Sequence, residues 1–233
     1  MERTILISSA ALAVGLIVAA AVFGAFFLQA RDTGDTVQTV GASTERFTAD
    51  IAKWRLTMSR QTGVFDQQAG YAGLSQDVAT LRRQLAGLGI ADTSVSVQPP
   101  NSYPTYNEGG ISGYQVQQSL FVISNDIDAL EELALNPASL EIGGGALQQS
   151  TLEYFYSDLD ALKRNLLASA TEDARARARE IAGREVSHMQ SARAGVFQIT
   201  EPYSTEVASY GMHATSTRSQ EITVTVHATF SVD

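Results

Sequence analysis

From Ile5 to Leu28 (ILISSAALAVGLIVAAAVFGAFFL) the chain runs 24 residues without a charge. As a helix rising ~1.5 Å per residue this run spans roughly 36 Å, enough to cross a ~30 Å hydrocarbon core with some tilt. A cleaved secretory signal is the competing reading, but its apolar core is usually about 7–15 residues and ends at a small-x-small site. Here the run is longer, and the best cleavage candidate, Leu28-Gln29-Ala30, has Leu where a small residue is preferred. A retained span is therefore expected, with a soluble protein released by cleavage as the alternative. Arg3 precedes the run, while Arg31 is followed by Asp32 and Asp35, which points to an N-in, C-out orientation. Residues 1–4 then form a short cytoplasmic end, 5–28 a transmembrane helix and 29–36 a polar linker. Within the span Ala11, Gly15 and Ala19 recur at every fourth position, and Ala20 stands four before Gly24. Small residues at that spacing let helices approach closely, a modest pointer to self-association.

Residues 37–233 read as a folded ectodomain. The whole chain is 44% apolar and 18% charged, outside the composition of disordered proteins. Its formal charge of −9 argues against a nucleic-acid partner, which needs a concentrated positive surface. With no cysteine, disulfides, thiolate nucleophiles, cysteine–zinc sites and a lipoprotein anchor are excluded.

Hydrophobic spacing sets the element order. Segments 37–44 and 50–61 read as strands, the second with Trp54, Leu56 and Met58 on one face and Lys53, Arg55 and Thr57 on the other. From Val64 to Leu88 the spacing turns helical, and Gly89 supplies a stop. Strand 93–98 ends at Pro99-Pro100, and PPNSYPTYNEGG (99–110) reads as a loop before strand 113–124. A short helix follows over 125–135, opened by Asn125 and Asp128, then a glycine turn at 143–145 and a strand over 146–156. The order from 50 to 156 is β-α-β-β-α-β, the split βαβ or ferredoxin-like pattern. Residues 37–49 with 157–233 form a second α/β layer: a long helix over 158–182, a strand over 189–200, a polar irregular segment over 202–218 and a strand over 221–232. The last alternates strictly, with Ile222, Val224, Val226, Ala228, Phe230 and Val232 on one face. The fold class is α+β.

The stretch ARARARE (174–180) has the period of a strand in isolation and would make a basic stripe. Its surroundings argue for a helix. Leu159, Leu162, Leu166, Ala170, Ala174, Ala178 and Ile181 recur every three or four residues, and Asp160–Arg164 and Asp173–Arg177 stand at i,i+4. On that helix the arginines scatter over its flanks and form no row that could track phosphates.

Taken together, LKRNLLASATEDARARAREIAG, the opening TVQTVGASTERFTADIAKWRLTMS, the middle GYQVQQSLFVISNDIDALEEL and the closing EITVTVHATFSV resemble, in order, the SIMPL domain family of bacterial extracytoplasmic proteins. Two departures stand out: Ala49 where the family commonly has Pro before Asp50, and GREVSHM where a glycine-containing turn usually follows the long helix. The resemblance implies a periplasmic or envelope-facing module, often with an N-terminal signal or anchor, with ring-like oligomers known for some members and no accepted enzymatic activity.

No P-loop, GxGxxG, GxSxG or SxxK motif occurs. Gly143-Gly144-Gly145 precedes a strand and reads as a turn. His188, His213 and His227 lack ligand spacing, and the pairs Glu131-Glu132 and Glu172-Asp173 point about 100° apart on their helices. The expectation is therefore a non-enzyme without cofactor or metal. It is anchored in the bacterial inner membrane through residues 5–28, with its ectodomain facing the periplasm or outside, and partnered chiefly with itself. Alternating strands, the last above all, would pair across subunits. An envelope binding module using Tyr103 and Tyr106 in loop 99–110, with a protein or small ligand as partner, is the alternative.

Overall fold

The structure is a computed structural model that describes the backbone of residues 2–31 and 35–232 and the side chains of 13–27 and 35–232. Its fold is α+β, with four α-helices and two five-stranded sheets among the described residues. The chain divides into two compact units, one of Met1–Ala42, Ala168–Gly195 and Thr225–Asp233, the other of Ser43–Leu167 and Val196–Val224.

In the second unit, β2 (Ile51–Thr62) pairs antiparallel with β5 (Gly110–Ser124) on one side and β6 (Ala146–Phe155) on the other. β3 (Val95–Val97) and β4 (Asn101–Asn107) share the far edge of β5, giving the order β3-β5-β2-β6. With α2 (Gln67–Gly87) between β2 and β3, and α3 (Ile127–Leu135) between β5 and β6, this is the arrangement of a split βαβ unit. The period-two pattern of β2 works as its spacing implies. Trp54, Leu56 and Met58 are fully buried with Val116, Leu120 and Val122 of β5, beneath Leu74, Val78, Leu81 and Leu85 of α2 and Ile127, Leu130 and Leu133 of α3. Lys53, Arg55 and Thr57 lie on the opposite face, each half-buried.

The first unit is built on smaller residues. The chain from β1 (Thr36–Thr48), α4 (Leu159–Ala182), β7 (Val186–Ala194) and β10 (Ser219–Val232) contributes to it. β10 is nearly dry along one face, with Val226 and Ala228 at 3% exposure and Phe230 at 0%. On α4 the alanine stripe Ala170, Ala174 and Ala178 is wholly buried. The reason for alanine is visible at Gly41 of β1: a Cβ there would stand 2.1 Å from the Ala170 carbonyl oxygen and 2.3 Å from the Ala174 nitrogen. Strand and helix touch backbone to backbone. Thr39 donates its hydroxyl to the Ala174 carbonyl (2.8 Å), and the Ala42 N–H donates to the Asp173 carboxylate (2.8 Å). The arginines of the basic stretch are all used locally. Arg175 lies over the Phe230 ring, Arg177 pairs with Asp173 at 2.9 Å and Arg179 with Glu185 at 3.0 Å.

Several sequence expectations are corrected. Segment 99–110 is not a loop, because Asn101–Asn107 forms an edge strand hairpinned to β5, with Pro104 tolerated where no ladder N–H is needed. The single strand 189–200 is two, β7 and β8 (Gln198–Thr200), which follow one another along the same edge of β10. The polar segment 202–218 holds the short β9 (Met212–His213), parallel to β8. α3 is capped by Asp126, whose carboxylate accepts from the Ala129 N–H, rather than by Asn125. Ile181, at the end of the α4 stripe, is 67% exposed. Finally, β10 is no free edge. β1 takes one side and β7 and β8 the other, so this strand is not open to pairing across subunits.

α1 (Glu2–Arg31) is one continuous helix of 30 residues. Among the described residues no helix is long and apolar enough to cross a membrane; the described side chains of α1 cover 13–27, and both ends of the 5–28 run lie outside them.

Candidate interaction surfaces

Arg60 of β2 and Asp77 of α2 form the most enclosed ion pair of the second unit: two guanidinium nitrogens donate to the carboxylate at 2.9–3.1 Å, and the Asp77 residue is 3% exposed. Glycines surround it. A Cβ at Gly144 would sit 2.9 Å from the Arg60 guanidinium, at Gly145 2.8 Å from the Asp77 carboxylate, and at Gly73 2.9 Å from Arg60. None of these has the positive φ that favours glycine, so the triple-glycine turn is there for room. Gly143-Gly144-Gly145 thus makes room for an internal ion pair.

A second network joins α3 to β6. The Tyr154 hydroxyl donates to Glu131 at 2.7 Å, and Arg218 reaches Asp128 at 2.5 Å and Glu131 at 3.9 Å. Burial, followed by the hydrogen bond to Glu131, pushes the Tyr154 phenol up to about 12. Asp50 accepts from the N–H and hydroxyl of Ser157 and so fixes the approach to α4. These groups are bound to one another rather than poised toward an opening. Arg82 at Asp92, and the Ser216 hydroxyl at Glu201, hold those carboxyls below their ordinary range on the surface.

The three histidines do not converge. His188 meets the Ser231 hydroxyl (3.3 Å), His213 stands edge-on to the Phe155 ring, and His227 lies on β10 opposite Arg193. Among the described residues no group of three or more His, Asp or Glu could hold a metal. A cavity of about 610 Å³ is an open trough in the first unit between Arg177 and Ile181 of α4 and residues 191–193 and 227–229 of the strands, with no carboxylate in its lining.

What remains are surfaces. Tyr103 and Tyr106 are 52% and 69% exposed, and both belong to the β4–β5 hairpin, where Tyr106 faces Ile111 across the strands. Phe65, in the turn before α2, is 98% exposed. On α1 the described side chains Val14, Leu16, Ile17, Val18, Val22, Phe23, Phe26 and Phe27 are all at least 50% exposed. An added Cβ at Gly15 or Gly24 would meet nothing within 4 Å. Ala19 and Ala20 are equally exposed, and Ala11 lies outside the described residues.

These features define an α+β domain whose distinctive groups are packing devices and exposed apolar surfaces. A family model described as SIMPL, protein of unknown function (DUF541), matches residues 37–231. The chain belongs to that family, as the long alanine-striped helix and its flanking strands imply. No curated protein matches the chain.

Proposed function

We propose that the protein is a membrane-anchored, extracytoplasmic SIMPL-domain scaffold that works by assembling with copies of itself, without catalysis. α1 supplies the support. All fifteen residues from Ala13 to Phe27 are apolar, and they ring the helix with no polar face. A helix apolar all round is buried in a large core or in lipid. None of the described side chains of α1 is among the buried residues, and the 24-residue uncharged run is long enough for a bilayer. The open space beside Gly15 and Gly24 suits a second helix. The anchor places the protein in the bacterial inner membrane with residues 37–233 outside. Washing membranes that contain the full chain in alkaline carbonate tests this. The protein stays in the membrane pellet, whereas quantitative release into the supernatant overturns the anchor in favour of a soluble product.

A second reading is an envelope binding module that uses the β4–β5 hairpin, and the exposed Tyr103 and Tyr106 favour it. Replacing both by serine separates the two. Loss of a co-purifying envelope protein with unchanged particle mass supports binding, and unchanged co-purification removes it.

A further inference from the structure

We propose that loop 201–211 of one copy docks on the half-exposed face of the β3-β5-β2-β6 sheet, opposite its helices, of a second copy, an inference that rests on the self-assembly reading above. The loop is held firmly yet presents apolar side chains to water. Gln198 pins Ala208 through both of its backbone groups, at 2.7 and 3.3 Å, and Ser216 donates to Glu201. Arg46, itself paired with Glu221 at 2.9 Å, lies 4.1 Å above the Tyr203 ring and donates to its hydroxyl at 3.1 Å. Tyr203 has φ +66°, a conformation that a bulky side chain adopts only when its neighbours impose it. Despite these ties Tyr203, Val207 and Tyr210 remain 81%, 80% and 88% exposed. Holding Val207 and Tyr210 in water buries no apolar surface for the fold, but a surface already ordered lowers the cost of binding. Glu206, exposed among them, disfavours an anionic lipid surface and selects a cationic one.

The same unit carries a surface of the opposite character. On the half-exposed sheet face Lys53 and Arg55 both lean on the single carboxylate of Glu153, at 3.2 and 3.5 Å, which leaves one positive charge in excess. Both cations also flank the Phe121 ring, 5.4 and 5.5 Å from its centre, and Ile123 beside it is 49% exposed. Arg55 Nε is buried with no acceptor among the described residues. An apolar platform with a spare cation thus matches an apolar loop with a spare carboxylate. In a chain of net charge −9 such a cationic face is a scarce partner for that loop, which favours specificity.

The test is light scattering of the full chain in detergent over a concentration series. Val207→Asp and Tyr210→Ser, at side chains that stand in water, leave the far-ultraviolet circular dichroism unchanged and raise the half-assembly concentration about tenfold or more. Glu206→Arg and Arg55→Glu each do the same, and their combination restores assembly toward wild type. Should Arg55→Glu not fold, Lys53→Glu takes its place in the swap. A wild-type assembly whose mass ignores all these changes overturns the docking and leaves self-assembly standing. A wild-type chain that is monomeric at micromolar concentration overturns both.

Discussion

In the second unit a sheet meets its helices through large side chains: Trp54, Leu56 and Met58 below, and leucines of α2 and α3 above. In the first, Gly41 meets Ala170 and Ala174 with no side chain between them. The same sheet-on-helix problem is thus met at opposite ends of the size scale, and the two answers tolerate error differently. A core of large side chains can repack around a change, because neighbours have rotamers to shift. A backbone-to-backbone seam has nothing to move. The Arg60–Asp77 pair adds a third variant, where glycines make room for charge instead of for a helix.

Mutations in the two seams should differ accordingly in cost. Trp54→Ala removes the largest buried side chain and its indole hydrogen bond to Ser150 at 2.8 Å, and it costs about 4 kcal/mol in chemical denaturation. Gly41→Ala, a single methyl group, costs about 3 kcal/mol because the clash is with backbone. A loss under ~1 kcal/mol there would show that the seam is looser than described. In contrast, Met58→Leu in the second unit costs under ~1.5 kcal/mol. Asp77→Ala leaves Arg60 unpaired beneath its glycine turn and costs about 2 kcal/mol, reduced from a fully buried pair by the partial exposure of Arg60.

The smallest effect is at Tyr154, where Tyr154→Phe costs about 1 kcal/mol near neutral pH. Its phenol is held at about 12 in the fold against an ordinary value near 10. Between those values the folded state keeps a proton that the unfolded state has lost, so stability falls as pH rises through the window and is unaffected below it. Unfolding midpoints of wild type and Tyr154→Phe measured from pH 9 to 12 check this. The variant lacks the Tyr154 contribution to the decline, and parallel curves would refute it.

How far the sequence could be read follows the range of the interactions involved. α4 and β10 are legible because their patterns are local: alanines every fourth residue in one, strict alternation in the other. The two faces of β2 are legible for the same reason. β4 is not, since Pro104 and the glycines around it mark a turn, and only pairing with β5 makes a strand. The break at Gly195–Phe197 is equally tertiary: Gly195 is pressed against Thr225, where β10 changes partners. Asp77 looks like a wet helix residue until Arg60 arrives from 17 residues away. The exposure of Tyr103 and Tyr106 could be guessed from their turn-rich surroundings. The pinned loop 201–211 could not, because its ties come from Arg46, Gln198 and Ser216.

If the anchored domain assembles with copies of itself, the mass of the particle reveals it. Light scattering on the detergent-solubilised full chain at micromolar concentration, corrected for bound detergent, should return a whole-number multiple of 24.9 kDa greater than one. A single peak at 24.9 kDa would contradict it.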